Sequence, residues 1–216
     1  MPEINAKQIL QETPLQKMFH FETISSTNDW AKKYIQENQQ KIKQGNDKDL
    51  FPLLVIADQQ TAGRGRGNHS WFSPSGALLI SILTTWSQLN LSRRESSMLS
   101  LRTAVAVQKT IIRFLDTAEK NSVSSLSLSS SQIEPFSNSV RIKMPNDIYI
   151  AEKKIAGILI ESPNEQAVII GIGININNSV KQIENDLQTK ITSLIDITQT
   201  EINFQSFLIA LINEIF

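Results

Sequence analysis

The chain has 216 residues, 40% of them hydrophobic and 19% charged, with 21 basic and 21 acidic side chains, two histidines and no cysteine. This is a globular composition, able to bury about 70% of the unfolded surface in one domain, and the balanced charge creates no global field to draw in nucleic acid or an acidic membrane. Without cysteine there is no disulfide framework, thiolate nucleophile or zinc ribbon, and His20 and His69 alone cannot build a histidine-rich metal site.

Any anion site must therefore be local. Met1 to Lys17 holds no apolar signal core, and no run approaches the roughly 18 apolar residues of a membrane span, so a soluble cytoplasmic protein is expected. Phe19 to Ile24 reads as a short strand. Ser25-Ser26-Thr27-Asn28-Asp29 then opens a helix, with Ser26 and Asp29 at capping-box spacing, and Trp30, Ala31, Tyr34 and Ile35 continue it. The polar stretch Gln39 to Asp49, containing Gly45 and Asn46, reads as a surface loop. Leu53 to Ala57 and Ala77 to Leu83 are apolar runs of strand length, separated by a segment rich in glycine and arginine, Gly63 to Gly67. Apolar residues recur at helical spacing from Glu95 to Leu115, through Leu99, Ala106 and Ile111, and predict a long helix.

Serine dominates residues 121–138, which read as an inserted loop. Val140 to Lys143, Ile148 to Ile150, Ile155 to Ile160 and Val168 to Ile174 follow as successive strands, with Ala151-Glu152-Lys153 as the tight turn between the second and third. Phe204, Phe207, Leu208, Leu211, Ile212 and Ile215 form one helical stripe of core residues at the end. Strands in a run, rather than in strict alternation with helices, predict an α+β fold. Its mixed sheet would carry packed helices in one domain over residues 1–216.

Chemistry concentrates in a few segments. In Gln60-Thr61-Ala62-Gly63-Arg64-Gly65-Arg66-Gly67 the alternating glycines suit neither helix nor strand and let backbone amides approach an anion, while Arg64 and Arg66 add forks that match phosphate or carboxylate oxygens. Its place between two strands and its end at Trp71 favour a pocket over a solvated turn. Lys143-Met144-Pro145-Asn146-Asp147 is followed seven residues after Asp147 by Lys154. Asn146 and Asp147 can anchor a nucleotide or its metal, and Lys154, ahead of an apolar strand, can stand at a pocket mouth; taken alone, each piece reads as an ordinary turn. Gly171-Ile172-Gly173-Ile174-Asn175 lacks the third glycine and the following helix of a dinucleotide fingerprint, and reads instead as a strand whose glycines admit close approach of a ligand or backbone.

These segments, in this order, resemble the catalytic domain of biotin protein ligases. The matching pieces are Ser26-Thr27-Asn28, Gln60 to Arg66 with Trp71, Lys143 to Asp147, Lys154 to Glu161, and Gly171 to Asn175. The resemblance implies a mixed sheet with packed helices, related to class II aminoacyl-tRNA synthetases and lipoate ligases. It implies that biotin and ATP react, with Mg2+, to biotinyl-5′-AMP, and that biotin then passes to a lysine of a biotin carboxyl carrier protein. Ser26, Thr27, Asn28, Gln60, Gly65 and Gly157 would line the biotin pocket. Arg64 and Lys154 would be the catalytic cations, touching both the carboxylate and the α-phosphate. Arg66 would steady the adenylate, Trp71 would pack on the loop near adenine, Asn146 and Asp147 would sit by the nucleotide, and Asn175 would contact the adenylate.

Four features depart from the family pattern. Gly67-Asn68-His69-Ser70 stands where the common bacterial loop carries further arginines, Met144 replaces a usual tryptophan, the serine-rich stretch is atypical, and Phe216 falls where members begin a small SH3-like domain. The N-terminus is also too short for a helix-turn-helix domain, so no repressor activity is expected. The sequence assigns no metal ligands and leaves monomer and homodimer both open. The rival readings are a lipoate or octanoate ligase, disfavoured by the Gly-Arg-Gly-Arg loop with its tryptophan, and a non-catalytic biotin sensor, disfavoured by the presence of both Arg64 and Lys154.

Overall fold

The computed structural model describes residues 4–67, 69–126, 139–181 and 187–216. Seven strands form one mixed sheet in the order β1-β2-β3-β7-β6-β5-β4, where β1 is Lys17–Ile24, β2 Leu53–Gln60, β3 Ala77–Thr85, β4 Val140–Lys143, β5 Asp147–Ile150, β6 Lys153–Glu161 and β7 Ala167–Asn175. Only the β1–β2 pair is parallel. A parallel pair needs a crossover, and α2 (Thr27–Glu37) and α3 (Gln39–Lys43) supply it. Each strand begins within two residues of its expected start; β2 runs on past Ala57 to Gln60 and carries that glutamine into the site.

The sheet is covered on both faces, which is why β3 is buried along its whole length and shows no alternation. On one face Leu54, Ile56, Ile80, Ile82, Ile170 and Ile172 pack with the long helix α4 (Ser96–Leu126) and the C-terminal helix α7 (Phe204–Ile215). On the other, Val55, Leu83 and Ile169 pack beneath α2 with Ala31 and Ile35. The α7 stripe is entirely buried and Phe207 meets Phe114 of α4 with ring centroids 4.9 Å apart.

Three expectations need correction. Gln39 to Asp49 is not all loop, because Ile42 is buried in the α2-side core and draws Gln39–Lys43 into a helix. The serine-rich stretch is helical to Leu126, as α4 simply continues; residues 127–138 lie outside the described residues. The short helices α1 (Ala6–Glu12), α5 (Leu187–Lys190) and α6 (Leu194–Thr198) have too little periodicity to announce themselves. The turn after β5 is Ala151-Glu152 alone, both at positive φ (44° and 65°) as a two-residue hairpin of primed type requires. Among the described residues no helix is long and apolar enough to cross a membrane.

Candidate active site

The site is a hollow in the sheet face beneath the start of α2. Partners in register share a face, so Val55, Ser81, Gly171 and Leu159 make one row across the sheet, and Ala57, Leu79, Gly173, Gly157 and Asp147 make the next. Where β6 and β7 cross these rows, the three glycines contribute no side chain, and the sheet is left with a depression. Two side chains from elsewhere lie in it. A Cβ on Gly171 would collide with the Asn28 amide, and one on Gly173 would lie 2.5 Å from Cε2 of Trp71. The close approach read into this glycine pattern therefore exists, and it is made by the protein's own side chains.

Part of the cavity lining is neutral and polar. Ser26 is the N-cap of α2, its Oγ accepting from the Asp29 N–H at 3.4 Å. Gln60 accepts the Thr27 N–H at 2.7 Å and donates through Nε2 to Ser73 Oγ at 3.3 Å. Behind them Ser81, fully buried in β3, stands 2.8 Å from Thr27 Oγ1 and 2.6 Å from Asn28 Oδ1. Asn28 also donates to Glu161 Oε2 at 2.8 Å and to the Leu159 carbonyl at 3.4 Å.

Charged side chains join the same lining. Arg64 Nη2 reaches Asp29 Oδ1 at 2.7 Å and Glu161 Oε2 at 2.9 Å, while Lys32 reaches Glu161 Oε1 at 2.7 Å. Burial pushes the Glu161 carboxyl up, but hydrogen bonds from Lys32, Asn28 and Arg64 outweigh that and hold it below its ordinary value. Burial likewise pulls the Arg64 guanidinium down, and its bonds and charge interactions with Glu161 and Asp29 more than offset it. Lys154 Nζ, in the same lining, pairs with Asp147 Oδ1 at 2.8 Å and lies 5.3 Å from the centroid of the Trp71 ring. Asn146 is braced by its Nδ2 donating to the Ile158 carbonyl at 2.9 Å. Arg66 stands exposed at the rim, with no ion-pair partner among the described residues.

The loop between β2 and β3 folds back on itself. The Trp71 N–H donates to Gly63 O at 2.9 Å, the Gly65 N–H to His69 O at 2.7 Å, and Arg64 bridges Ser70. The Gly65 amide, expected to face an anion, is spent inside this hairpin.

Ser26, Thr27, Asn28, Gln60, Arg64, Gly65, Arg66, Trp71, Asn146, Asp147, Lys154 and Gly157 all line the one cavity. Asn175 does not. It is 2% exposed, gives Nδ2 to the Thr192 carbonyl at 3.0 Å and accepts from Asn178 at 3.1 Å, and Thr192 in turn donates its N–H to Lys154 O. Asn175 thus braces the segment that runs beside Lys154. The residues that escaped the sequence reading are Ser81, Asp29, Lys32 and Glu161 as partners of the site. Ser81 did leave a signal, a hydroxyl in the middle of an otherwise apolar strand; the carboxylates and Lys32 left none, since exposed helix faces and strand ends carry such residues routinely.

Residues 20–177 match the biotin/lipoate A/B protein ligase family, and the chain belongs to it. Over 186 residues it is 31% identical to the bifunctional ligase/repressor BirA of Escherichia coli, covering 85% of this chain and 47% of that protein. It is 32% identical over 143 residues to the human biotin–protein ligase, covering 64% of this chain and 17% of the human one. The chain thus spans about half or less of the length of these relatives. Its fold superposes on the biotin protein ligase of Leishmania major in complex with biotinyl-5-AMP with a TM-score of 0.64 at 25% identity, over 92% of this chain and 73% of that one.

Proposed function

We propose that the chain activates biotin with ATP and transfers it to a lysine of a biotin carboxyl carrier protein. The observation that carries this reading is the meeting of neutral hydrogen-bonding groups, Thr27 and Gln60, with two cations, Arg64 and Lys154, in one cavity. A bicyclic urea with a carboxylate tail suits that chemistry: head group on the neutral groups, carboxylate at the cations. Attack of a biotin carboxylate oxygen on the α-phosphorus of ATP forms the acyl phosphate bond and expels pyrophosphate. Two anions must meet for this, and Arg64 and Lys154 offset their repulsion and hold the charge that develops. Each cation first exchanges a protein carboxylate for the substrate, Glu161 and Asp29 for Arg64, Asp147 for Lys154. The acceptor amine then attacks the acyl carbon and releases AMP. Arg66 and Trp71, on the loop hairpin, would keep water from the mixed anhydride meanwhile.

Among the described residues no three metal-ligating side chains cluster, and the one carboxylate at the nucleotide end is paired with Lys154. The residues present do not make a metal cage, so magnesium is assigned to the ATP phosphates, as part of the substrate. The same reading makes residues 1–216 one catalytic unit acting in the cytoplasm.

The test is biotin-dependent exchange of labelled pyrophosphate into ATP. Exchange is expected with biotin and not with lipoate, falling by about 10²–10³ in Lys154→Ala. Exchange driven by lipoate would assign a lipoate ligase, and tight biotin binding without exchange would assign a sensor.

A further inference from the structure

We propose that Ser81, Asn28 and Glu161 are positioning residues that fix Thr27 as a hydrogen-bond acceptor toward the cavity, so that the site selects a head group that donates an N–H. The inference rests on the biotin reading above and adds the part of the molecule that sets its specificity.

The argument follows the protons. Glu161, tied to Arg64 and Lys32, is an anion with lone pairs only, so the Asn28 group 2.8 Å from it must be the NH2 end. That orients the amide. Its oxygen faces Ser81 at 2.6 Å, and since this oxygen has no proton, the Ser81 hydroxyl is the donor there and is turned toward Asn28 and its neighbour Thr27. Ser81 also turns toward Thr27 Oγ1 at 2.8 Å as the donor, so Thr27 accepts in that contact and its own proton lies elsewhere. The Thr27 hydroxyl donates that proton to Gln60 Oε1 at 3.1 Å, is therefore turned into the protein and keeps only lone pairs for the cavity.

Nothing along this path is free to reverse. Ser81, at the centre of the path, is fully buried and does not line the cavity, so its partners are the protein's own groups. Asn28 commits both amide hydrogens to Glu161 and the Leu159 carbonyl, which leaves it little capacity to bind a ligand itself. Gly171 is the place where this amide fits, because any side chain there would occupy its position. The charge of Glu161 thus sets the polarity of a hydroxyl three residues along the chain of contacts. A ureido N–H meets an acceptor; a dithiolane, with no N–H, leaves Thr27 unpaired.

The experiment measures biotin and lipoate affinity by calorimetry, and KM for biotin and ATP in pyrophosphate exchange, for the full chain and its Ser81→Ala and Glu161→Gln variants. In Ser81→Ala, biotin Kd is expected to rise about tenfold, the equivalent of one hydrogen bond, with KM for ATP unchanged and the preference for biotin over lipoate narrowed. Glu161→Gln, close in shape and uncharged, allows the Asn28 amide to flip and should lower the same preference, while Glu161→Asp restores it. If Ser81→Ala does not fold, the pair of Glu161 variants decides the matter. Biotin binding with undiminished preference in the folded variants overturns the relay alone. A wild-type chain that binds no biotin overturns the functional reading, a different result read in a different sample.

Discussion

At the scale of single residues the site is a set of charges held by their opposites. Arg64 and Lys154 do not stand bare in the cavity; each is clamped by carboxylates, and Glu161 is the most shielded of these, its side chain 19% exposed. Its carboxyl is held below the ordinary value of 4.5, so the carboxylate stabilises the fold above 4.5 and that contribution is lost as pH falls through the depressed value. Asp196 acts with the same sign: burial raises it, but the Val180 N–H, Ser179, Ser193 and Lys181 outweigh that. Urea unfolding at pH 7 should find Glu161→Gln less stable than wild type by about 1 kcal/mol, a modest figure because its cationic partners are more than a third exposed. The gap should close on acidification below 4.5. A gap that persists at the acid end would assign the loss to shape instead of charge.

Elements decide how rigid that arrangement is. The N-terminus of α2 brings Ser26, Thr27 and Asn28 to the sheet in consecutive positions, and the strand alternation of β6 and β7 sets Gly157, Gly171 and Gly173 beneath them. The opposite face of the same strands is closed by α4 and α7, so that the site's backbone is backed by core. Phe207, fully buried, joins those helices through its ring contact with Phe114. Phe207→Ala should cost about 3–5 kcal/mol, the transfer term plus a cavity that the closed sheet cannot collapse into. Its unfolding midpoint should drop while biotin affinity at 25 °C stays within a few fold, since no α7 residue lines the cavity. Loss of affinity in a still folded variant would mean that the two faces of the sheet are coupled.

For the whole molecule, the cavity gathers residues from α2, β2, the loop after it, β5, β6 and β7, which places contributions from Ser26 to Gly173 around one ligand. A ligand bound there ties together elements that are distant in the chain and binds only the folded state. At a hundredfold excess over Kd, biotin should add about 2.7 kcal/mol, or roughly 5–10 °C in Tm for a chain of this size. Biotin with ATP should add more than either alone, and thermal scanning of wild type beside Lys154→Ala reads both. An equal shift in the two proteins would remove Lys154 from the ligand contacts.

Much of this was written in the sequence. Alternation, apolar runs and turn residues located all seven strands and the long helices, because side-chain burial imposes those periods locally. The ordered motifs named nearly every residue that lines the cavity, because glycines beside arginines and a Ser-Thr-Asn helix start are chemically unusual wherever they occur. What only the tertiary structure decided was partnership. Asn175 looked like a ligand contact and is a buried brace, since the segment ending at Thr192 claims its amide. Ile42 looked like part of a loop, and a core it could not reveal folds it into a helix. Glu161 and Ser81 looked like the end of one strand and the middle of another; they meet at Asn28, 133 and 53 residues away along the chain, and no local pattern carries information across that distance.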